Sequence, residues 1–93
     1  MVVGIARFEL HIPESRSLKS KRQVLRSLKE RARARFPVSI AEVDHQDLWQ
    51  RATIGVAVVG GEQHFVEEVL QAVRRLVEEE GRLAVLDYYQ ELV

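Results

Sequence analysis

Apolar and polar side chains alternate over residues 2–12, which is the pattern of a β-strand with one buried face. Phe8, Leu10 and Ile12 fall on the predicted buried face. Pro13 ends this strand, because proline has no amide N–H with which to continue a hydrogen-bonded ladder.

From Leu18 onward the apolar positions recur at helical spacing. The predicted buried face of this helix consists of Leu18, Leu25, Leu28 and Ala32. Either Ser15 or Ser17 is expected to cap its N-terminus, since a serine hydroxyl can accept an amide N–H of the first turn. Pro37 ends the helix, because the residue before a proline avoids helical backbone angles.

A second helix is predicted over residues 62–80 from the broadest apolar face in the chain. That face consists of Phe65, Val66, Val69, Leu70, Val73, Leu76 and Val77. Three further strands are predicted over residues 38–45, 49–59 and 83–92. Val38 and Ile40 alternate in the first of these strands, but Val43 is out of step, which indicates a β-bulge.

The resulting order βαββαβ predicts an α+β fold in which two helices cover one face of a four-stranded antiparallel sheet. Right-handed crossovers favour the ferredoxin-like arrangement with strand order 4-1-3-2, and residues 1–93 are expected to form one domain. The predicted core consists of Phe8, Leu10, Leu25, Leu28, Ile54, Val56, Val69, Val73, Leu76 and Leu86.

Composition excludes several classes of protein. The chain has no cysteine, which rules out disulfides, thiolate metal sites and cysteine nucleophiles. It has no apolar run of membrane-spanning length and no signal-peptide pattern, so we expect a cytoplasmic protein with no membrane partner. Asn is absent and Arg outnumbers Lys by eleven to three. This composition is typical of thermophiles, and also of GC-rich codon usage.

Charge is strongly segregated although the formal net charge is zero. Residues 1–36 carry ten basic and three acidic side chains, a balance of +7, and residues 37–93 carry four basic and eleven acidic side chains, a balance of −7. Nine of the fourteen Lys and Arg residues lie between Arg16 and Arg35. Solubility does not require such segregation, so the basic segment is the first place to look for a partner.

Five cations of the first predicted helix fall within one quadrant and form what we call the basic ridge: Lys19, Arg22, Arg26, Lys29 and Arg33. Like charges at this spacing repel by about 0.2–0.5 kcal/mol per pair, so something should offset the repulsion. A polyanion, above all RNA, would do so through its phosphates. The alternative is internal pairing with acidic residues of the second helix, namely Glu67, Glu68, Glu78 and Glu79.

The open face of the sheet lacks the usual RNA-binding aromatics. Domains of this topology stack bases on aromatic side chains of the two central strands. The corresponding positions here are Arg7, Glu9, His11, Arg51, Thr53 and Gly55. Only Tyr89, on the last strand, could bring an aromatic ring to this face, so base stacking on the sheet is not expected.

Catalytic and metal sites are not indicated either. The three histidines, His11, His45 and His64, are scattered over a strand, a turn and a helix start. Asp44, His45 and Asp47 could in principle coordinate a metal, but polar turn residues are the favoured interpretation. We therefore expect a protein that is not an enzyme and has no metal or cofactor. Trp49 is either an exposed anchor for a partner or, the favoured interpretation, a cap on the core beside the hairpin.

Three ordered motifs resemble those of one family. Residues 17–22 (SLKSKR) resemble its S-L-K-x-K-R signature, residues 38–43 (VSIAEV) its V-S-V-A-E-V strand, and residues 47–52 (DLWQRA) its D-x-W-x-x-A segment. These are motifs of the YlxP-like family of small bacterial proteins, and one departure is Pro37, where the family pattern has Asn. The resemblance implies a ferredoxin-like fold, a cytoplasmic bacterial protein and a ribosome-related role, because genes for translation initiation and ribosome maturation factors often neighbour those of its members. It supplies no catalytic residues.

The sequence therefore favours a non-enzymatic factor that binds structured RNA or the ribosome through the basic ridge. The alternative is a homo-oligomeric interaction or regulatory domain that uses the open sheet face or an edge strand. A homodimer is expected because opposed charges and small or apolar residues share the open face. These are Val3, Ile5, Arg7, Glu9, Arg51, Ala57, Val59, Asp87 and Glu91.

Overall fold

The computed structural model describes all 93 residues and contains four strands and two helices. The strands are β1 (Val2–His11), β2 (Val38–Asp44), β3 (Arg51–Gly60) and β4 (Ala84–Leu92), and the helices are α1 (Leu18–Arg35) and α2 (Gln63–Glu78). The strands form one antiparallel sheet in the order β2-β3-β1-β4, which is the predicted 4-1-3-2 order read from the opposite edge. The predicted ferredoxin-like α+β fold is confirmed.

The core lies between the helices and the inner face of the sheet. One cluster of 19 buried hydrophobic residues joins α1 and α2 to the strands. Nine of the ten predicted core residues are buried, and these are Phe8, Leu10, Leu25, Leu28, Ile54, Val56, Val69, Val73 and Leu76. Phe8 lies opposite Ile54 in the register of β1 and β3, so the two central strands contribute adjacent side chains to the same layer.

Gly4 allows α2 to approach β1 closely. A Cβ atom at this position would overlap the side chain of Val66 and would lie 2.9 Å from Leu70 Cδ1. Such contacts would force these side chains or the helix to shift, so the absence of a side chain at Gly4 allows α2 to pack closely on the sheet.

Two β-bulges change which side chains face the core. The register of β2 against β3 shifts between Glu42 and Asp44, which confirms the bulge predicted at Val43. The register of β4 against β1 shifts between Glu9 and Leu10, and the extra residue on β4 is Leu86. The prediction that Leu86 belongs to the core is therefore wrong: its side chain is 53% exposed.

Val85 and Tyr88 take the inner positions on either side of this bulge. Both are partly buried against the core, and the ring centroid of Tyr88 lies 4.9 Å from that of Phe8. Phe65 also differs from the prediction, since it is 44% exposed in the first turn of α2. Its ring covers Gly60, where an added Cβ would lie 2.7 Å from Phe65 Cδ2.

The N-terminus of α1 is capped by Ser17, whose hydroxyl oxygen accepts the amide N–H of Ser20 at 3.0 Å. Ser15, the other candidate, is buried and hydrogen-bonds the Ser20 hydroxyl at 2.9 Å. The start of α1 is thus fixed, and with it the direction in which each cation of the helix points. Neither helix is long and apolar enough to cross a membrane.

Leu28 is buried and Leu86 is exposed, so we expect alanine substitutions at the two positions to have different effects on the free energy of unfolding. Leu28 is fully buried, so Leu28→Ala should lower the free energy of unfolding by about 2–5 kcal/mol through lost transfer energy and a residual cavity. The matched variant Leu86→Ala should change it by less than about 0.5 kcal/mol, because that side chain is largely in solvent. Urea unfolding checks both values, and equal losses would contradict the bulge at Leu86.

Candidate nucleic-acid interface

Four of the five basic-ridge residues lie together along one groove. Arg22, Arg26, Lys29 and Arg33 line a depression of about 480 Å³ between α1 and the edge strand β2, which we call the basic groove. Leu25, Glu30 and Glu42 complete its lining. Lys19 belongs to the predicted ridge but not to the lining of this groove. It is exposed and lies one turn before Arg22, toward the N-terminus of α1.

The basic ridge makes no internal ion pair. The Lys and Arg residues with a carboxylate oxygen within 4.0 Å are Arg7, Lys21, Arg31, Arg74 and Arg82, and none of them belongs to the ridge. The acidic residues of α2 pair on their own helix, Glu68 with His64 at 2.7 Å and Glu78 with Arg74 at 3.6 Å. The repulsion along the ridge is therefore not offset by α2.

Arg33 differs from its neighbours in having a structural contact. Its Nη2 donates a hydrogen bond to the carbonyl oxygen of Ile40 at 2.8 Å. Since β2 is an edge strand, this carbonyl would otherwise point outward without a partner. Arg33 thus closes one end of the basic groove and protects the sheet edge.

Arg31 is held on another side of α1 by the segment that follows α2. It pairs with Glu80, which is buried and also accepts from Arg82 Nε at 2.8 Å. The hydrogen bond from Arg82, supported by Arg31, lowers the pKa of Glu80 to about 2. Arg31 is therefore held by Glu80 on a different side of α1 from the basic groove.

Lys21 makes the structural contact that the sequence analysis missed, although it belongs to the first of the three motifs. Its side chain is 1% exposed, and its ammonium nitrogen lies 2.8 Å from Glu42 Oε2. The same nitrogen donates to the carbonyl oxygens of His45 at 2.9 Å, Gln46 at 3.3 Å and Arg51 at 3.2 Å. The contact between Lys21 and Glu42 thus joins the first motif (SLKSKR) to the second (VSIAEV).

The sequence contained a signal for this burial. Lys21 stands at helical spacing from the buried residues Leu25, Leu28 and Ala32, so it occupies the core face of α1. A lysine in that stripe needs an acceptor, and the only acidic residue of β2 before its terminal Asp44 is Glu42.

The β2–β3 loop, residues 45–50, is held at both ends. Gln50 Nε2 donates to the carbonyl oxygens of Pro13 at 3.0 Å and Ser15 at 3.2 Å, on the segment before α1. His45 adopts a positive φ of 60°. Its amide N–H donates to Asp44 Oδ1 at 2.7 Å, and its Nδ1 lies 2.9 Å from Thr53 Oγ1. Asp44 and His45 thus make contacts typical of a turn.

Trp49 lies in this loop and is 55% exposed. The favoured sequence interpretation, a cap on the core, is therefore wrong. Strand β3 begins at Arg51, two residues later than predicted, and this leaves Trp49 outside the sheet. Leu48 beside it is 43% exposed.

The open sheet face is polar at one end and apolar along the centre. Thr53 Oγ1 donates to Glu9 Oε1 at 2.5 Å, so these two predicted open-face residues satisfy each other. Tyr89 does reach this face, where the Arg7 guanidinium lies 5.3 Å from its ring centroid. A hydrogen bond to the Glu91 carboxylate raises the pKa of the Tyr89 phenol. A shallow depression of about 570 Å³, lined mostly by apolar side chains, occupies the face.

Comparison with known proteins identifies relatives. The family described as "Protein of unknown function (DUF503)" matches residues 3–90. The protein described as "Uncharacterized protein YlxP" from Bacillus subtilis (strain 168) is 38% identical over 77 residues, which cover 83% of this chain and 84% of the relative. These matches confirm the resemblance drawn from the three motifs.

One solved structure has a similar fold, a C-terminal segment of the alpha subunit of aIF2 from Pyrococcus abyssi. The two share 19% sequence identity with a TM-score of 0.50, over 98% of this chain. The present chain spans about half of that structure, 48% of its length. At this identity the likeness concerns the fold alone.

We expect loss of the Lys21 ammonium to destabilise the protein strongly. Lys21→Met keeps the length of the side chain but leaves the Glu42 carboxylate and three carbonyls without their donor, which should cost about 3–5 kcal/mol of unfolding free energy. Lys19→Met, on the same helix and without such partners, should cost less than about 0.5 kcal/mol. Thermal and urea unfolding compare the two variants, and a Lys21→Met protein as stable as Lys19→Met would refute the role of this contact.

Proposed function

The chain belongs to the DUF503 family, and we propose that it is a non-enzymatic factor that binds structured RNA or the ribosome through the basic groove. One observation carries this proposal. Arg22, Arg26 and Lys29 line a single groove and have no carboxylate partner within ion-pair distance.

The charge of the basic groove suits a row of phosphates. Four cations line it against two carboxylates, and one of these, Glu42, is neutralised by Lys21. Arginine side chains bind phosphate oxygens with two parallel hydrogen bonds, and phosphate contacts of this kind dominate RNA affinity. A bound phosphate backbone would also remove the like-charge repulsion along α1.

The backbone of β2 adds to this preference. Ile40 turns its carbonyl toward Arg33, so its own amide N–H points to the same outer side of the strand. An outward amide beside the groove is a neutral donor for a phosphate oxygen. The edge of β2 thus offers a backbone donor close to Arg33, at one end of the groove.

The ribosome is favoured among RNA partners by the family resemblance. The resemblance to the YlxP-like family implies this role, because the genes of its members often lie beside those for translation initiation and ribosome maturation factors.

A second candidate function is a homodimer formed through the open sheet face. Exposed apolar side chains at Val59, Leu86 and Tyr89 favour it, together with the shallow apolar depression. Arg7 and Glu91 lie on this face, so a two-fold axis can bring opposite charges together. The edge of β2 suits such pairing less well, because Arg33 already binds its outward carbonyl at Ile40.

The RNA proposal predicts a steep dependence of affinity on salt. For about three to five phosphate contacts, the slope of log affinity against log salt should be roughly −2 to −5. The triple variant R22Q/R26Q/K29Q should reduce the magnitude of the slope by about 2–3 and weaken binding to ribosomal RNA fragments. Its stability should equal or slightly exceed that of the parent, because glutamine keeps helix propensity and repulsion is removed.

The control for this experiment changes the same net charge elsewhere. R16Q/R35Q/R75Q removes three exposed cations that do not line the basic groove. It should leave most of the salt slope intact. Equal loss of binding in both triple variants would mean that net charge rather than the groove binds RNA.

The dimer proposal predicts a concentration-dependent mass by light scattering. Ala57 lines the open-face depression, so Ala57→Glu should shift the protein to the monomer by burying an unpaired charge in the interface. Gln23→Glu adds the same charge on an exposed position of α1 and should not alter the mass. A parent protein that remains monomeric at high concentration would exclude this second function.

A further inference from the structure

We propose that the indole of Trp49 is a stacking platform for an unpaired base of the RNA whose phosphates occupy the basic groove. The substrate class is then RNA with an exposed loop or bulge, rather than a continuous duplex. This inference rests on the proposed function and makes it more specific.

Trp49 is presented on a fixed support. Although its side chain is 55% exposed, the loop that carries it is held by Lys21 through His45, Gln46 and Arg51. The flanking Gln50 is anchored to the segment before α1, and its own carbonyl accepts the amide N–H of Ile12 at 2.9 Å. An aromatic ring on a backbone that is already ordered loses little entropy when a planar ligand stacks on it.

The loop adjoins the Arg22 end of the basic groove. Glu42 belongs to the lining of the groove, and its carboxylate binds Lys21 at 2.8 Å. The same ammonium binds the backbone of the loop on both sides of Trp49, at Gln46 and Arg51. A strand whose phosphates follow the groove from Arg33 to Arg22 therefore arrives at the loop.

Local charge decides which part of a nucleotide lies at the loop. Asp47 is an exposed acidic residue two positions before Trp49, and the carboxylate of Asp44 starts the same turn. Phosphates are repelled by these carboxylates and attracted by α1, so the backbone stays in the groove and the base turns toward the ring. Stacking on an exposed indole uses the π-face of the base and does not require a charge.

This arrangement differs from base stacking on the open sheet face. The central strands carry no aromatic side chain there, and Glu9 and Thr53 bind each other. The aromatic surface of this site is therefore the indole of Trp49 in the β2–β3 loop, and not the open face of the sheet. A duplex hides its base faces, whereas a loop or bulge exposes them, which is why the unpaired base defines the substrate class.

The test uses the fact that Trp49 is the only tryptophan of the chain, so its fluorescence reports on this site alone. The intact protein is titrated with an RNA hairpin that carries an unpaired loop. Two matched probes of the same phosphate count are a fully paired duplex and a hairpin whose loop nucleotides are abasic. We expect quenching of the indole emission by the first probe, and little or none by the other two at equal saturation.

Substitution gives an independent measurement. Trp49→Ala should weaken binding of the looped hairpin by about 5- to 150-fold, which corresponds to roughly 1–3 kcal/mol for one stacked base. Its salt slope should stay unchanged, because no phosphate contact is lost. Leu48→Ala removes the neighbouring exposed side chain of the same loop and should change the affinity by less than about twofold. Both variants should unfold close to the temperature of the parent, since both side chains are exposed and neither belongs to the core.

The outcomes distinguish this inference from the proposed function. If the protein binds the looped hairpin with the predicted salt slope, but Trp49 emission and Trp49→Ala affinity are unchanged, the stacking site is refuted and the basic groove stands. That result would assign the exposed Trp49 to a protein partner instead. If all three RNA probes bind equally well and quench equally, the preference for unpaired bases is wrong. If none of them binds, both proposals fall.

Discussion

The buried ammonium of Lys21 is the contact on which the arrangement of the candidate surface depends. Removing an ammonium from water costs several kcal/mol, so its position is tolerated only because Glu42 and three backbone carbonyls surround it. These acceptors belong to β2, to the β2–β3 loop and to the first residue of β3. One side chain thus fixes α1 against the sheet edge, holds Glu42 in the lining of the basic groove and sets the position of the loop that carries Trp49.

The cations of α1 consequently have different roles although they are close in sequence. Lys21 is directed to the interior, Arg31 is paired with Glu80, and Arg33 binds the outward carbonyl of Ile40. What remains free is a short row, Arg22, Arg26 and Lys29, and this row lies where the helix and the edge strand form a groove. Helical spacing alone places five cations on one ridge, but the contacts of the fold select those that can bind a partner.

Elements with strong periodicity could be predicted from the sequence, and so could the bulge at Val43, which visibly breaks the alternation of β2. The bulge in β4 and the start of β3 could not. Both helices and the inner faces of β1 and β3 agree with their spacing, because each buries one regular face. Leu86 was wrongly predicted to lie in the core because a bulge in β4 shifts the alternation by one residue. No residue type near the bulge indicates its position. Trp49 was misplaced for a related reason, since β3 begins only at Arg51. Helical spacing places Lys21 on the core face of α1, but it does not identify the partner Glu42, which lies 21 residues further along the chain.

Because its charge is segregated at zero net charge, the protein would favour one orientation when it associates with a polyanion. A polyanion is attracted by the basic side of α1 and repelled by the acidic side chains of α2, such as Glu67 and Glu68. A protein with uniform positive charge would be attracted in every orientation, whereas this dipole favours the one in which the basic groove faces the phosphates. In the proposed complex, this orientation would bring the RNA strand to the Arg22 end of the groove, beside Trp49. The charge on α1 would align the phosphate backbone, and the fixed β2–β3 loop would receive a base.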